Sequence, residues 1–110
     1  MNRLSLVVSP VLLLVAAGAH AGKIYGSLQV DGKAVPEGTQ VQVNCSGRAY
    51  PPVKVGSHGR YSINIDQNGP CSLSVAGYAG ASIQVISYDQ PTRYNLLLKR
   101  DGDRFTMNRI

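Results

Sequence analysis

The chain has no tryptophan, one phenylalanine, two cysteines and two histidines in 110 residues. Each shortage excludes something. Structural zinc takes four Cys or His ligands at close spacings, and this composition cannot supply them. Catalytic triads are short of parts too. Past residue 21 the one histidine is His58, beside Ser57 in a turn where neighbouring side chains rarely aim at each other. No Gly-x-Gly-x-x-Gly phosphate loop occurs. Asp101-Gly102-Asp103 offers two carboxylates around a glycine, which is hairpin chemistry sooner than a calcium site. Lys and Arg outnumber Asp and Glu by 11 to 6, yet no basic run or helical face collects them, which argues against nucleic acid. The expectation is a protein without cofactor, metal or catalytic residue: not an enzyme.

Long apolar runs are equally scarce. The one candidate, Leu4 to Ala17, is broken by Ser9-Pro10 and falls short of the roughly 20 residues a span requires. Met1-Asn2-Arg3 precedes it and Ala19-His20-Ala21 follows, the order of a secretory signal peptide. Residues 1–21 are therefore expected to be a leader cleaved after Ala21, and 22–110 one domain, periplasmic or secreted, with no membrane span. Loss of Arg3 lowers the net charge from +5 to +4. Export places Cys45 and Cys71 where a disulfide persists, contributing about 3 kcal/mol in the chain-entropy model.

What the remainder does have is period-two alternation. Ile24, Gly26, Leu28 and Val30 alternate with polar neighbours, as do Val41, Val43 and Cys45; Tyr61, Ile63 and Ile65; and Cys71, Leu73 and Val75. Ile83 and Val85, then Tyr94, Leu96 and Leu98, continue the pattern, and a weaker segment runs from Arg104 to Ile110. Asp31-Gly32, His58-Gly59, Asn68-Gly69-Pro70, Gly77 to Gly80, Asp89-Gln90-Pro91 and Asp101-Gly102 punctuate these runs about every ten residues. The prediction is an all-β, antiparallel sandwich of about seven or eight strands, with a small closed barrel as the competing architecture. If every turn simply reverses the chain, Cys45 and Cys71 come to the same end and level, as a disulfide requires.

Ile24-Tyr25-Gly26-Ser27-Leu28, then Asp31 to Val41 with its Pro36-Glu37-Gly38, resembles the opening strand, turn and second strand of carboxypeptidase regulatory-like domains. Gly56-Ser57-His58-Gly59-Arg60-Tyr61 is similar to that family's Asp-x-x-Gly-x-Tyr turn, with Ser57 and His58 where the acidic residue would stand. Gly69 to Val75 fits a later strand. This resemblance, over about residues 22–76, implies a transthyretin-like sandwich of seven strands and a non-catalytic binding or accessory role.

On this reading any function lies in loops. Gly47-Arg48-Ala49-Tyr50-Pro51-Pro52 combines a cation, an aromatic ring and a stiff diproline, and Tyr and Arg are common interface anchors. Chain reversal would bring Asn68, Tyr88 and Arg93 to the same end. The candidate binding surface is therefore Arg48, Tyr50, Asn68, Tyr88 and Arg93. The expected function is an interaction module for another envelope or secreted protein, with a glycan as the alternative partner.

Overall fold

A computed structural model describes residues 22–110, and the expected leader lies outside them. The strands are β1 (Lys23–Val30), β2 (Lys33–Ala34), β3 (Gln40–Cys45), β4 (Arg48–Ala49), β5 (Val53–Lys54), β6 (Arg60–Asn64), β7 (Gly69–Val75), β8 (Ser82–Ser87), β9 (Pro91–Arg93), β10 (Leu96–Asp101) and β11 (Arg104–Arg109). They form two sheets. One is ordered β11-β10-β1-β2, with β6 and β9 also paired to β1; the other is β4-β3-β7-β8, with β5 also paired to β3. This is the expected sandwich, and the alternation explains its core. Strand β3 is exposed and buried by turns from Gln40 to Cys45, so Val41 and Val43 point inward while Gln42 and Asn44 face water. Ile24, Leu28, Leu96 and Leu98 from the first sheet meet Val41, Val43, Leu73 and Val85 from the second, all almost wholly buried. Burying such a side chain is worth roughly 1.5–3 kcal/mol.

Cys45 and Cys71 face each other in the antiparallel β3–β7 ladder, and their sulfurs are bonded, with Cα atoms 4.2 Å apart. The bridge lies within one sheet, between adjacent strands.

Strand direction departs from the purely antiparallel expectation. Strand β1 runs parallel to β9 over Lys23↔Pro91 to Tyr25↔Arg93, and parallel to β10 over Leu28↔Leu96 to Val30↔Leu98. The cause is a change of sheet: the chain leaves β8 in the second sheet and re-enters the first as β9 beside β1. Its other partners are antiparallel, β6 from Lys23↔Asn64 to Ser27↔Arg60 and β2 at the far end.

The parallel ladder keeps one register but is interrupted opposite Gly26. There the Tyr94 carbonyl comes so close that a Cβ on residue 26 would stand 2.0 Å from its oxygen, which only glycine permits. The displaced carbonyl accepts a hydrogen bond from Tyr61 Oη at 2.7 Å. The Ser27 amide, deprived of that carbonyl, donates to Asn95 Oδ1 at 3.2 Å. Tyr94 reaches the other sheet, where its Oη accepts from the Ile86 amide at 2.9 Å. Tyr61 and Tyr94 are both buried, as the alternation implied, and burial pushes the Tyr61 phenol well above its ordinary range.

Candidate functional site

The outward positions of β6, β1 and β9 meet on one face. Tyr25 lies at its centre, opposite Ser62 on one side and Arg93 on the other. The Arg93 guanidinium carbon is 5.5 Å from the Tyr25 ring centroid, within cation–π range. Arg109 Nη2 donates to the Arg93 carbonyl at 2.9 Å and covers the Tyr94 ring at 4.3 Å, which pins β9 in place. Beside Tyr25 a groove of about 610 Å³ is lined by Lys23, Lys54, Arg60, Ser62 and Pro91, among others, and by no acidic side chain. Among the described residues none of these cations forms an ion pair. Three cationic side chains around a concavity make a local positive field suited to an anion.

The loop foreseen as a binding surface is organised differently. Arg48 forks onto Asp66, with Nη1 to Oδ1 at 2.9 Å and Nη2 to Oδ2 at 3.4 Å. Tyr50 is buried; its hydroxyl donates to Asp66 Oδ1 at 2.6 Å and lies 3.0 Å from Gln67 Oε1. Arg48 also stacks over the Tyr50 ring at 4.7 Å. The Tyr50 hydrogen bond, the largest influence, outweighs the opposing effect of burial, which comes second, and with the Arg48 charge and hydrogen bond it holds the Asp66 carboxyl below its ordinary value. The Tyr50 phenol is raised, by burial first and by Asp66 second. These groups satisfy one another, with Tyr50 buried and the Arg48–Asp66 pair more than half exposed. Asn68 Nδ2 donates to Asp89 Oδ1 at 2.8 Å, and Tyr88 is 53% exposed.

Of the five residues foreseen, Arg93 alone stands beside Tyr25 on the cationic face. Lys23, Tyr25, Lys54, Arg60 and Ser62 were missed. Their signal was present as outward positions in alternating strands, but it becomes a site only when β6 and β9 are known to flank β1. His58 sits in the Ser57–Gly59 turn with φ 60°, exposed. No group of His, Cys, Asp and Glu that could hold a metal occurs among the described residues. No helix among them is long and apolar enough to cross a membrane.

Two packed sheets in this order make a β-sandwich similar in fold to transthyretin-like proteins. A solved structure with this fold, Klebsiella pneumoniae 5-hydroxyisourate hydrolase, superposes with a TM-score of 0.59 at 15% identity, over 80% of this chain and 92% of that one. No family model and no curated protein matches the chain. The comparison corrects the functional expectation: the similar structure belongs to an enzyme, so this sandwich does not imply a non-catalytic interaction module for an envelope protein or a glycan. The physical reason lies in the loop, where Arg48 and Tyr50, which motivated that reading, are engaged by Asp66.

Proposed function

We propose that the domain binds a small organic anion in the groove beside Tyr25. The observation that carries this is the convergence of Lys23, Lys54 and Arg60 on one concavity with no acidic lining residue. Ser62 adds a hydroxyl donor, and Tyr25 and Pro91 add apolar surface for the ligand's carbon frame. Three solvent-exposed charge pairs at about 0.2–1 kcal/mol each give at most about 3 kcal/mol, so a Kd of roughly 10 mM is expected. The Cys45–Cys71 disulfide supports action in an oxidising, exported compartment, periplasmic or extracellular. Membership of the carboxypeptidase regulatory-like branch of the fold is part of this proposal, on the motifs at Asp31–Val41 and Gly56–Tyr61.

A second reading, hydrolysis of the captured anion, is favoured by the fold shared with 5-hydroxyisourate hydrolase. Lys23, Lys54 and Arg60 would then stabilise negative charge developing on the reacting group. One set of measurements tests both. Amide NMR shifts are followed while organic anions, 5-hydroxyisourate included, are titrated into the purified protein at about 50 and 500 mM salt, with consumption of 5-hydroxyisourate assayed in parallel. Shifts confined to Lys23–Ser27, Lys54–Gly56 and Arg60–Ser62, weakening with salt, are expected. Shifts absent or spread over both sheets would refute anion capture. Consumption no faster than in buffer would refute hydrolysis of that substrate.

A further inference from the structure

We infer that the ligand of this site carries two anionic groups, held in two neighbouring hollows that share Arg60; the inference rests on the anion-binding reading of the groove. Next to the groove lies a second hollow of about 360 Å³, lined by Tyr25, Gly26, Ser27, Arg60, Arg93 and Asn95. Tyr25, Gly26 and Arg60 are common to both hollows, whereas Lys23 and Lys54 belong to the first and Arg93 and Asn95 to the second. Neither is lined by a carboxylate.

The second hollow owes its donors to the interrupted ladder. Asn95 Oδ1 accepts from the Ser27 amide at 3.2 Å and from Ser27 Oγ at 3.3 Å. A backbone N–H can only donate, so the side-chain amide is fixed oxygen-inward. Its Nδ2 hydrogens then have no partner among the described residues. Together with the Arg93 and Arg60 guanidinium groups they offer a carboxylate several N–H donors. The first hollow offers two ammonium groups and the other side of Arg60. Both hollows reach from β6 to β9, and they are offset along β1: the first lies toward Lys23 and Pro91, the second toward Ser27 and Arg93, on either side of Tyr25, and Lys23 to Ser27 is about 13 Å of extended strand. That separation suits an elongated dianion, such as a dicarboxylate lying across Tyr25, better than a compact one.

The test is calorimetric or NMR titration of the purified protein with straight-chain α,ω-dicarboxylates from succinate to sebacate, with hexanoate and sulfate as references, at constant ionic strength. An intermediate chain length is expected to bind about tenfold tighter than hexanoate, because the second contact becomes intramolecular. Sulfate, a compact dianion, should show no such gain, and Arg93→Gln should bring the best dicarboxylate down to the hexanoate affinity. Binding of hexanoate with no length optimum among the dicarboxylates would overturn this inference and leave the groove reading standing. Failure of every anion to bind at about 100 mM, roughly tenfold above the Kd expected, would overturn both.

Discussion

Replacing Tyr61 by Phe removes one oxygen from the interior and nothing else. That oxygen donates at 2.7 Å to the Tyr94 carbonyl, which is displaced from the regular ladder opposite Gly26. The phenylalanine ring fits the space of the tyrosine ring, so no cavity forms, and the cost is that of a buried carbonyl left without its donor, about 1–3 kcal/mol. In a domain of about 90 residues each kcal/mol moves the midpoint by about 5 °C, so Tm should fall by roughly 5–15 °C. A second readout separates this hydrogen bond from generic loss of packing. Burial holds the Tyr61 proton to higher pH in the folded state, whereas the unfolded phenol releases it near its ordinary value of 10.0. The folded state therefore binds more protons above that point. Stability is flat with respect to this group below pH 10 and declines as pH rises beyond it, by up to about 1.4 kcal/mol per pH unit. Tyr61→Phe should show a shallower alkaline decline than wild type. The assay is urea unfolding with the disulfide intact, at pH 7 and at several values above 10. A loss below about 0.5 kcal/mol at pH 7, or an unchanged alkaline slope, would refute the reasoning.

Reduction of the Cys45–Cys71 bridge, which spans a sequence separation of 26, should cost about 3.5 kcal/mol by loop-closure entropy; unfolding with and without reductant measures it. Gly26→Ala places a Cβ against a backbone oxygen, so a loss of more than about 3 kcal/mol or failure to fold is expected. Gly102→Ala, with open space around its Cβ, should pay only for its left-handed backbone, about 1 kcal/mol; equal losses in the two variants would show that crowding by Tyr94 is not what selects glycine at 26. Asp66 is held below its ordinary value of 3.8, so its stabilising effect is complete above that pH and is lost as pH falls through the lowered value. Asp66→Asn should therefore flatten the acid limb of the stability–pH curve, as read by thermal unfolding between about pH 2 and 6.

The layered fold was legible because burial in a sandwich follows the two-residue period closely: β3, β6 and β7 alternate as their sequences do. Pairing order was not. Nothing in a period of two says that Lys23 to Val30 lies beside residues 91–98 and parallel to them, since that depends on where the chain changes sheets. The site suffered for the same reason. Arg93 stood out beside a turn, but Lys23, Tyr25 and Arg60 read as ordinary outward residues of separate strands until the ladder set them together. The loop is the opposite case. A cation, a ring and two prolines suggest an interface, and nothing local in the sequence says that Arg48 and Tyr50 pair with the distant Asp66.

The parallel pairing of β1 also orders events in time. The second sheet is built from residues 40–87, with its main ladders between neighbouring antiparallel strands and its own covalent tie. It has all its parts before β9 emerges from the ribosome or a translocation pore. The first sheet does not, because its central strand lies near the start of the domain and pairs with residues 91–98 near its end. Contacts of such long sequence separation close last. Until then Ile24 and Leu28 have no complete sheet to enter, and the apolar inner face of the finished sheet waits uncovered, which is when such a chain is most exposed to aggregation.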